Sequence, residues 1–232
     1  MVTEQTHSYH SYQFGSHRDL SKDQMQALVD LFNTPPDAAR FRLGGRNSVT
    51  IAELEGIGSV AIKYYTRGGL NRLFVKHRYL RWRPCTRCKI EFDMLTRVRN
   101  LNIMAPEPVA YAHQGSLFYR GWLVTREIKK QRNLAELSAK SPHQAQKVLA
   151  LLVPQVVTLI ANGILHIDLH PGNVLVDHRQ RVFLLDFDKA CLSAKSPDYL
   201  KARYLRRWQR AVHKHRLPRE LWTQFQCGLD RL

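Results

Sequence analysis

A chain of 232 residues is long enough to bury a sizeable core, in one domain or in two small lobes sharing a cleft. Its 44% hydrophobic and 9% aromatic content is too apolar for a mainly disordered protein. Its 36 Lys and Arg against 19 Asp and Glu, a formal +17, exceed what solubility requires and point to a polyanionic neighbour: nucleic acid, an anionic membrane face or a phosphorylated substrate.

Residues 1–20, MVTEQTHSYHSYQFGSHRDL, lack the basic start and apolar run of a secretory signal and read as a loosely packed arm. Residues 22–32 form an amphipathic helical pattern ended by Asn33, Pro35 and Pro36. The texture then changes to strands. FRLGGRNSVTIAEL sets Gly44 and Gly45 between two β-prone runs, and GSVAIKYY adds a strand carrying Lys63. A glycine turn before a strand with an isolated lysine suits a backbone approaching phosphates, although a plain hairpin turn gives the same pattern.

Residues 67–90 hold eight Lys or Arg and no acidic residue, interleaved with Phe74, Tyr79 and Trp82. Within this stretch Cys85 and Cys88 make a C-x-x-C that no second C-x-x-C or nearby His pair completes, so they read as ordinary thiols near a helix start. With only Cys191 and Cys227 besides, no disulfide scaffold is expected and a reducing cytosol fits. Residues 86–100 are helical by pattern, with Ile90, Met94, Leu95 and Val98 on one side and Glu91 beside them.

APEPVA reads as punctuation, and LFYRGWLVTREI as a pair of strand-like runs leading to a connection near Arg126 to Ile128. Ser141 and Pro142 start a long apolar helix running to about Asn162, with Pro154 inside it and Gly163 closing it. Its most apolar part, residues 148–161, is short of the roughly 20 residues a bilayer span needs and reads as a core helix. Residues 197–216 form a last helix, with Leu200, Tyr204, Trp208, Ala211 and Val212 on one stripe and Lys201, Arg206, Arg207, Arg210 and Lys214 elsewhere.

The chemistry concentrates in HIDLHPGNVLVDHRQRVFLLDFDK, residues 166–189. Asn173 lies five residues after Asp168, and Asp186 thirteen after Asn173 across two short strands, VLVD and VFLLDF, joined by HRQR. Carboxylate and amide oxygens are hard ligands of the kind Mg²⁺ prefers, and Mg²⁺ takes only one or two protein groups when phosphates and water complete its shell. Two such oxygens and one further carboxylate make a phosphoryl-transfer set, since that reaction needs positioning, charge neutralisation and a proton acceptor.

The spacing resembles the protein-kinase pattern H-x-D-L-x-x-x-N followed by D-F-x, in His166, Asp168, Leu169, Asn173, Asp186, Phe187 and Asp188. By that resemblance Asp168 orients the acceptor hydroxyl and takes its proton, while Asn173 and Asp186 bind Mg²⁺. Lys63 is then the strand lysine on the ATP phosphates, Glu91 its ion-pair partner, and Gly44 and Gly45 stand for the glycine-rich loop, although LGGRNSV departs from G-x-G-x-x-G. The adenine is expected against the segment near Arg126 to Ile128, and His166 is expected to be a packed structural residue.

Two features separate the chain from ordinary protein kinases. His170 stands where those usually carry lysine, and nothing after Asp188 resembles an activation segment with A-P-E. The elements KYYTRGGLNRLFVKHRYL, RCKIEFDML, PEPVAY, SLFYRGWLVTREI, GILHIDLHPGNVLVD and LLDFDKA resemble the 3-deoxy-D-manno-octulosonic acid (Kdo) kinases and related lipopolysaccharide core kinases of Gram-negative bacteria. The resemblance implies an α+β, bilobal, protein-kinase-like fold: an arm over residues 1–20, a small antiparallel-sheet lobe over 21–128 and a compact, mainly helical lobe over 129–232. It also implies transfer of the γ-phosphate of ATP, with Mg²⁺, to the 4-hydroxyl of Kdo on a Kdo-lipid A precursor at the cytoplasmic face of the inner membrane.

The basic segments at residues 67–89 and 201–216 are expected to meet an anionic membrane surface without spanning it. A core heptose kinase and a small bacterial protein kinase are the rivals within the class. A basic nucleic-acid-binding scaffold is the rival outside it, and no zinc-finger or RNA-recognition motif supports that reading.

Overall fold

The structure, a computed structural model, describes residues 3–34, 49–65, 79–80, 85–116 and 118–231. The chain forms two compact units: Met1–Asp93 with Glu107–Glu127, and Met94–Pro106 with Ile128–Leu232. Gly44, Gly45 and most of the basic segment at residues 67–89 lie outside the described residues.

The first unit is built on strands β1 (Gln5–Tyr9), β2 (Tyr12–Ser16), β3 (Val49–Leu54), β4 (Gly58–Tyr64), β5 (Tyr79–Leu80), β6 (Pro108–Gln114) and β7 (Phe118–Arg126). They form an antiparallel sheet in the order β1-β2-β6-β7-β4-β3, with β5 also paired to β7. Helix α1 (Lys22–Asn33) starts on a capping box in which Ser21 and Gln24 satisfy each other's backbone amides. It buries Met25, Leu28 and Val29 in a cluster with Tyr12, Phe14, Val60 and Trp122 from the sheet. Apolar side chains at helical spacing thus meet the alternating inward face of the strands.

The N-terminal residues correct the expectation of a loose arm. Residues 5–16 form a hairpin whose second strand pairs with β6 from Tyr12↔Gln114 to Ser16↔Ala110. The reason lies in Tyr12 and Phe14, both buried, which supply the two inward positions that a strand this short needs. Gly15 completes the fit, because a Cβ there would lie 2.2 Å from the Tyr111 ring. APEPVA, read from the sequence as punctuation, runs into strand β6, PVAYAHQ, and the pair of runs expected in LFYRGWLVTREI is one nine-residue strand, β7. Gly121 does not break it.

Helix α2 (Arg87–Asn100) follows the pattern expected for residues 86–100, and from Met94 onward it belongs to the second unit. Cys88 on its first turn is buried, and burial pushes its thiol up to about 11 despite a hydrogen bond with Thr86. Such a thiol stays protonated and inert.

The second unit contains β8 (Arg132–Asn133), α3 (Leu134–Lys140), α4 (Pro142–Ala161), β9 (Ile164–Leu165), β10 (Val174–Val176), β11 (Val182–Leu184), β12 (Cys191–Leu192), α5 (Pro197–Lys214) and α6 (Glu220–Asp230). Helices α3 and α6 were not legible in the sequence. Helix α4 is long and apolar enough by length and composition to cross a membrane. It packs against α3, α5 and α6 and buries Val148, Leu149, Leu152, Val156 and Leu159, so it is the core helix the sequence suggested. Ser141 precedes Pro142 as expected but makes no side-chain cap hydrogen bond. Gly163 closes the helix in the left-handed region, at φ +64°, where a side chain would be strained.

In α5, Leu200, Tyr204, Trp208, Ala211 and Val212 are buried, the stripe read from the sequence. Trp208 stacks on Phe225 of α6 at 4.3 Å and donates from Nε1 to Leu221 O. Tyr204 reaches the start of the loop that follows β9: its hydroxyl accepts from His166 N and donates to Ile164 O, both at 2.8 Å. These two bonds set α5 in register with the loop that carries Asp168.

Candidate active site

In the first unit, β4 presents Lys63 between Val49 of β3 and Leu123 of β7. Its Nζ lies 2.8 Å from Glu91 Oε2 and 3.1 Å from Oε1. Glu91, on α2, is 3% exposed and Lys63 14%. The Tyr65 hydroxyl also donates to Glu91, and its ring lies under the Lys63 ammonium at 5.2 Å. A buried carboxylate that receives several donors is held in one rotamer, and it holds the lysine in turn. The structure therefore joins Lys63 and Glu91 as the sequence predicted. The Arg126 amide donates to Glu107 O and the Glu127 amide to Ser59 O.

In the second unit, the loop after β9 carries His166, Asp168, His170 and Asn173. His166 is buried and its Nε2 donates to Leu185 O at 2.8 Å while the ring packs on Phe187. Burial pushes its pKa below the ordinary imidazole value against the pull of Leu185 O and the nearby aspartates. A neutral histidine tied to backbone is a brace for the loop, the packed role expected of it.

Asn173 donates through Nδ2 to Asp168 O at 3.0 Å, which orients the amide and leaves Oδ1 as its acceptor. Strands β10 and β11 pair with Val174 opposite Leu184, and Leu185 N donates to Asn173 O at 2.9 Å. This register sets Asp186, the next residue, beside Asn173. Asp186 adopts the left-handed region, φ 63° and ψ 60°, a conformation aspartate tolerates better than most side chains and one common where function fixes the backbone. It turns the chain so that Phe187 enters the core and Lys189 returns toward the loop.

Asp168 is held by two cations. Lys189 Nζ donates to Oδ2 at 2.7 Å, and Arg207 Nη2, from α5, to Oδ1 at 3.2 Å. Burial raises the carboxyl's pKa, but the hydrogen bond and charge of Lys189, with Arg207, outweigh it and hold Asp168 below the usual carboxylate range. Sequence reasoning missed both cations; the basic residue closing LLDFDK was the only signal for Lys189. His170, in the place of the protein-kinase lysine, is depressed to about 4 by burial and by Arg207. It is neutral near pH 7 and accepts from Gly172 N through Nδ1. The positive charge beside Asp168 thus comes from Lys189 and Arg207.

The depressed value carries a sign. The ion pairs of Asp168 contribute stability above the ordinary carboxylate pKa and lose it as pH falls through the lower folded value. Replacing Lys189 with Met removes the strongest of the groups lowering the pKa. The acidic limb of the kcat profile is then expected to move to higher pH, and a profile superimposable on wild type would show that Lys189 does not set the ionisation of Asp168.

The backbone register that brings Asn173 and Asp186 near each other supplies an amide and a carboxylate, donor types that fit a hard divalent cation such as Mg²⁺. A carboxylate held by two cations in the same loop, and in the first unit a Lys–Glu pair between strand and helix, are features found in kinases with the protein-kinase-like fold. The chain belongs to the lipopolysaccharide kinase (Kdo/WaaP) family, whose profile matches residues 40–228. It is 30% identical over 179 residues to a 3-deoxy-D-manno-octulosonic acid kinase of Vibrio vulnificus, covering 76% of this chain and 74% of that one. Proteins of the same description from Vibrio parahaemolyticus and Stenotrophomonas maltophilia are 29% and 28% identical, over 89% and 84% of this chain and 87% and 79% of theirs. The chain is accordingly a phosphotransferase of lipopolysaccharide biosynthesis.

Proposed function

We propose that the protein transfers the γ-phosphate of ATP to the 4-hydroxyl of Kdo on a Kdo-lipid A precursor. The observation that carries this reading is Asp168, kept ionised by Lys189 and Arg207 beside the Asn173 and Asp186 oxygens. The relatives' common description supplies the sugar.

In the reaction, the sugar oxygen attacks the γ-phosphorus, the bond from that phosphorus to the β,γ-bridging oxygen breaks, and ADP leaves with its electrons. Asp168 orients the hydroxyl and accepts its proton as the new O–P bond forms. Lys189 neutralises charge next to the carboxylate, while Lys63, fixed by Glu91, contacts the ATP phosphates. Asn173 and Asp186 would hold Mg²⁺, which neutralises charge on the phosphates when bound.

The acceptor is lipid-linked, so the enzyme works at the cytoplasmic face of the inner membrane as a peripheral protein. Lysines and arginines of α5 support this, at about 1 kcal/mol for each basic residue near an anionic surface. The test is mass spectrometry of a Kdo-lipid A precursor after incubation with enzyme and ATP. One added phosphate, located at the Kdo 4-hydroxyl, is expected. Phosphate appearing only on a heptose-bearing acceptor would replace this reading with that of a heptose kinase.

A further inference from the structure

Arg203, Arg206, Arg207 and Arg210 follow one another on a single face of α5, at spacings of three, one and three residues. With Asp168 and residues 165–167 of the loop they line a cavity of about 170 Å³ within the second unit. Asn173 and Asp186 are not among its walls. Like charges so close repel, and among the described residues Arg207 alone of the four pairs with a carboxylate, Asp168. Among the described residues, Arg206 and Arg210 spend only their Nε groups, on the carbonyls one turn back. Among the described residues nothing engages their terminal guanidinium nitrogens.

We propose that this arginine pocket binds the carboxylate of the acceptor sugar acid, placing its hydroxyl at Asp168. The inference rests on the Kdo reading above, because an octulosonic acid carries the carboxylate that the pocket requires. Three features favour it. The planar guanidinium fork matches a carboxylate bidentately, which an ammonium does not. The cavity opens directly on the proton acceptor, so a ligand anchored there presents its hydroxyls to Asp168. Its volume, below the roughly 300 Å³ of a site enclosing a whole small ligand, suits the acid end of one sugar with the lipid-linked remainder outside. Tyr204 fixes the arginine face against the loop through His166 N and Ile164 O, so the grip and the proton acceptor keep one spacing.

The experiment compares a soluble Kdo methyl glycoside with its carboxamide, in wild type, Arg206→Gln, the Arg206→Gln/Arg210→Gln double variant and the exposed-surface control Lys147→Gln. Wild type and control are expected to prefer the acid by about tenfold or more in kcat/KM, chiefly through KM. The double variant is expected to lose a similar factor on the acid and little further on the amide. Equal turnover of acid and amide by wild type overturns the pocket while leaving Kdo phosphorylation intact, and so do losses that simply multiply.

Calorimetric binding without ATP separates the two readings from the other side. Acid preferred over amide by wild type but not by the double variant, without any phosphate transfer, supports the pocket and overturns the Kdo reaction. Lack of binding and of turnover overturns both. If the double variant is impaired only with acceptor embedded in anionic vesicles, the arginines serve lipid headgroups and the proposal fails.

Discussion

Asp168→Ala is expected to abolish nearly all phosphoryl transfer while ATP binding is largely kept. A positioned general base contributes on the order of 10²- to 10⁴-fold, and here the same carboxylate also organises Lys189 and Arg207. Removing it leaves two cations facing each other across the vacated position, which adds to the kinetic loss. Asp168→Asn keeps the shape and removes the charge, so it separates orientation from proton acceptance: a residual rate well above that of the alanine variant would measure the orienting part. ATP affinity by equilibrium titration completes the test. Turnover unchanged in Asp168→Ala would refute the role assigned to this residue.

The second large effect is expected at Glu91. Its carboxylate is 3% exposed and receives Lys63 and Tyr65. Breaking a buried pair from one side costs about 3–5 kcal/mol, because the partner is left uncompensated. Glu91→Ala should therefore lower the denaturant midpoint of the first unit and raise KM for ATP, since Lys63 loses the group that aims it. Glu91→Gln retains hydrogen-bonding capacity and should be milder in stability than in ATP affinity. A melting curve for Glu91→Ala that overlays wild type would show that the pair is not a structural constraint.

The catalytic loop was legible because its spacing crosses only a short hairpin. Once VLVD and VFLLDF are strands, pairing Val174 with Leu184 brings Asn173 and Asp186 together without further information. Lys63 and Glu91 were legible because each sits alone on a recognisable strand or helix. Lys189 and Arg207 were not, since their contacts with Asp168 join residues 21 and 39 positions apart through a left-handed turn and a helix whose register Tyr204 decides. The N-terminal hairpin and β6 escaped for a related reason. Their polar or proline-flanked stretches become strands through pairing with each other, and β-pairing over about a hundred residues leaves little local trace. Helix α6 was missed although it buries Leu221, Phe225 and Leu229, because that pattern lies close to the chain end in a short, mixed stretch.

The N-terminal hairpin is also a clasp. Glu4, just before β1, binds Lys89 of α2 at 2.6 Å and receives the Tyr111 hydroxyl at 2.5 Å; burial alone would raise its pKa, but these two partners bring it below the ordinary value. Lys89 stands two positions from Glu91, so trimming the first sixteen residues would do more than shorten the sheet. It would bare the backbone edge of β6, inviting intermolecular strand pairing, and it would remove the Glu4 partner from the helix whose Glu91 holds Lys63.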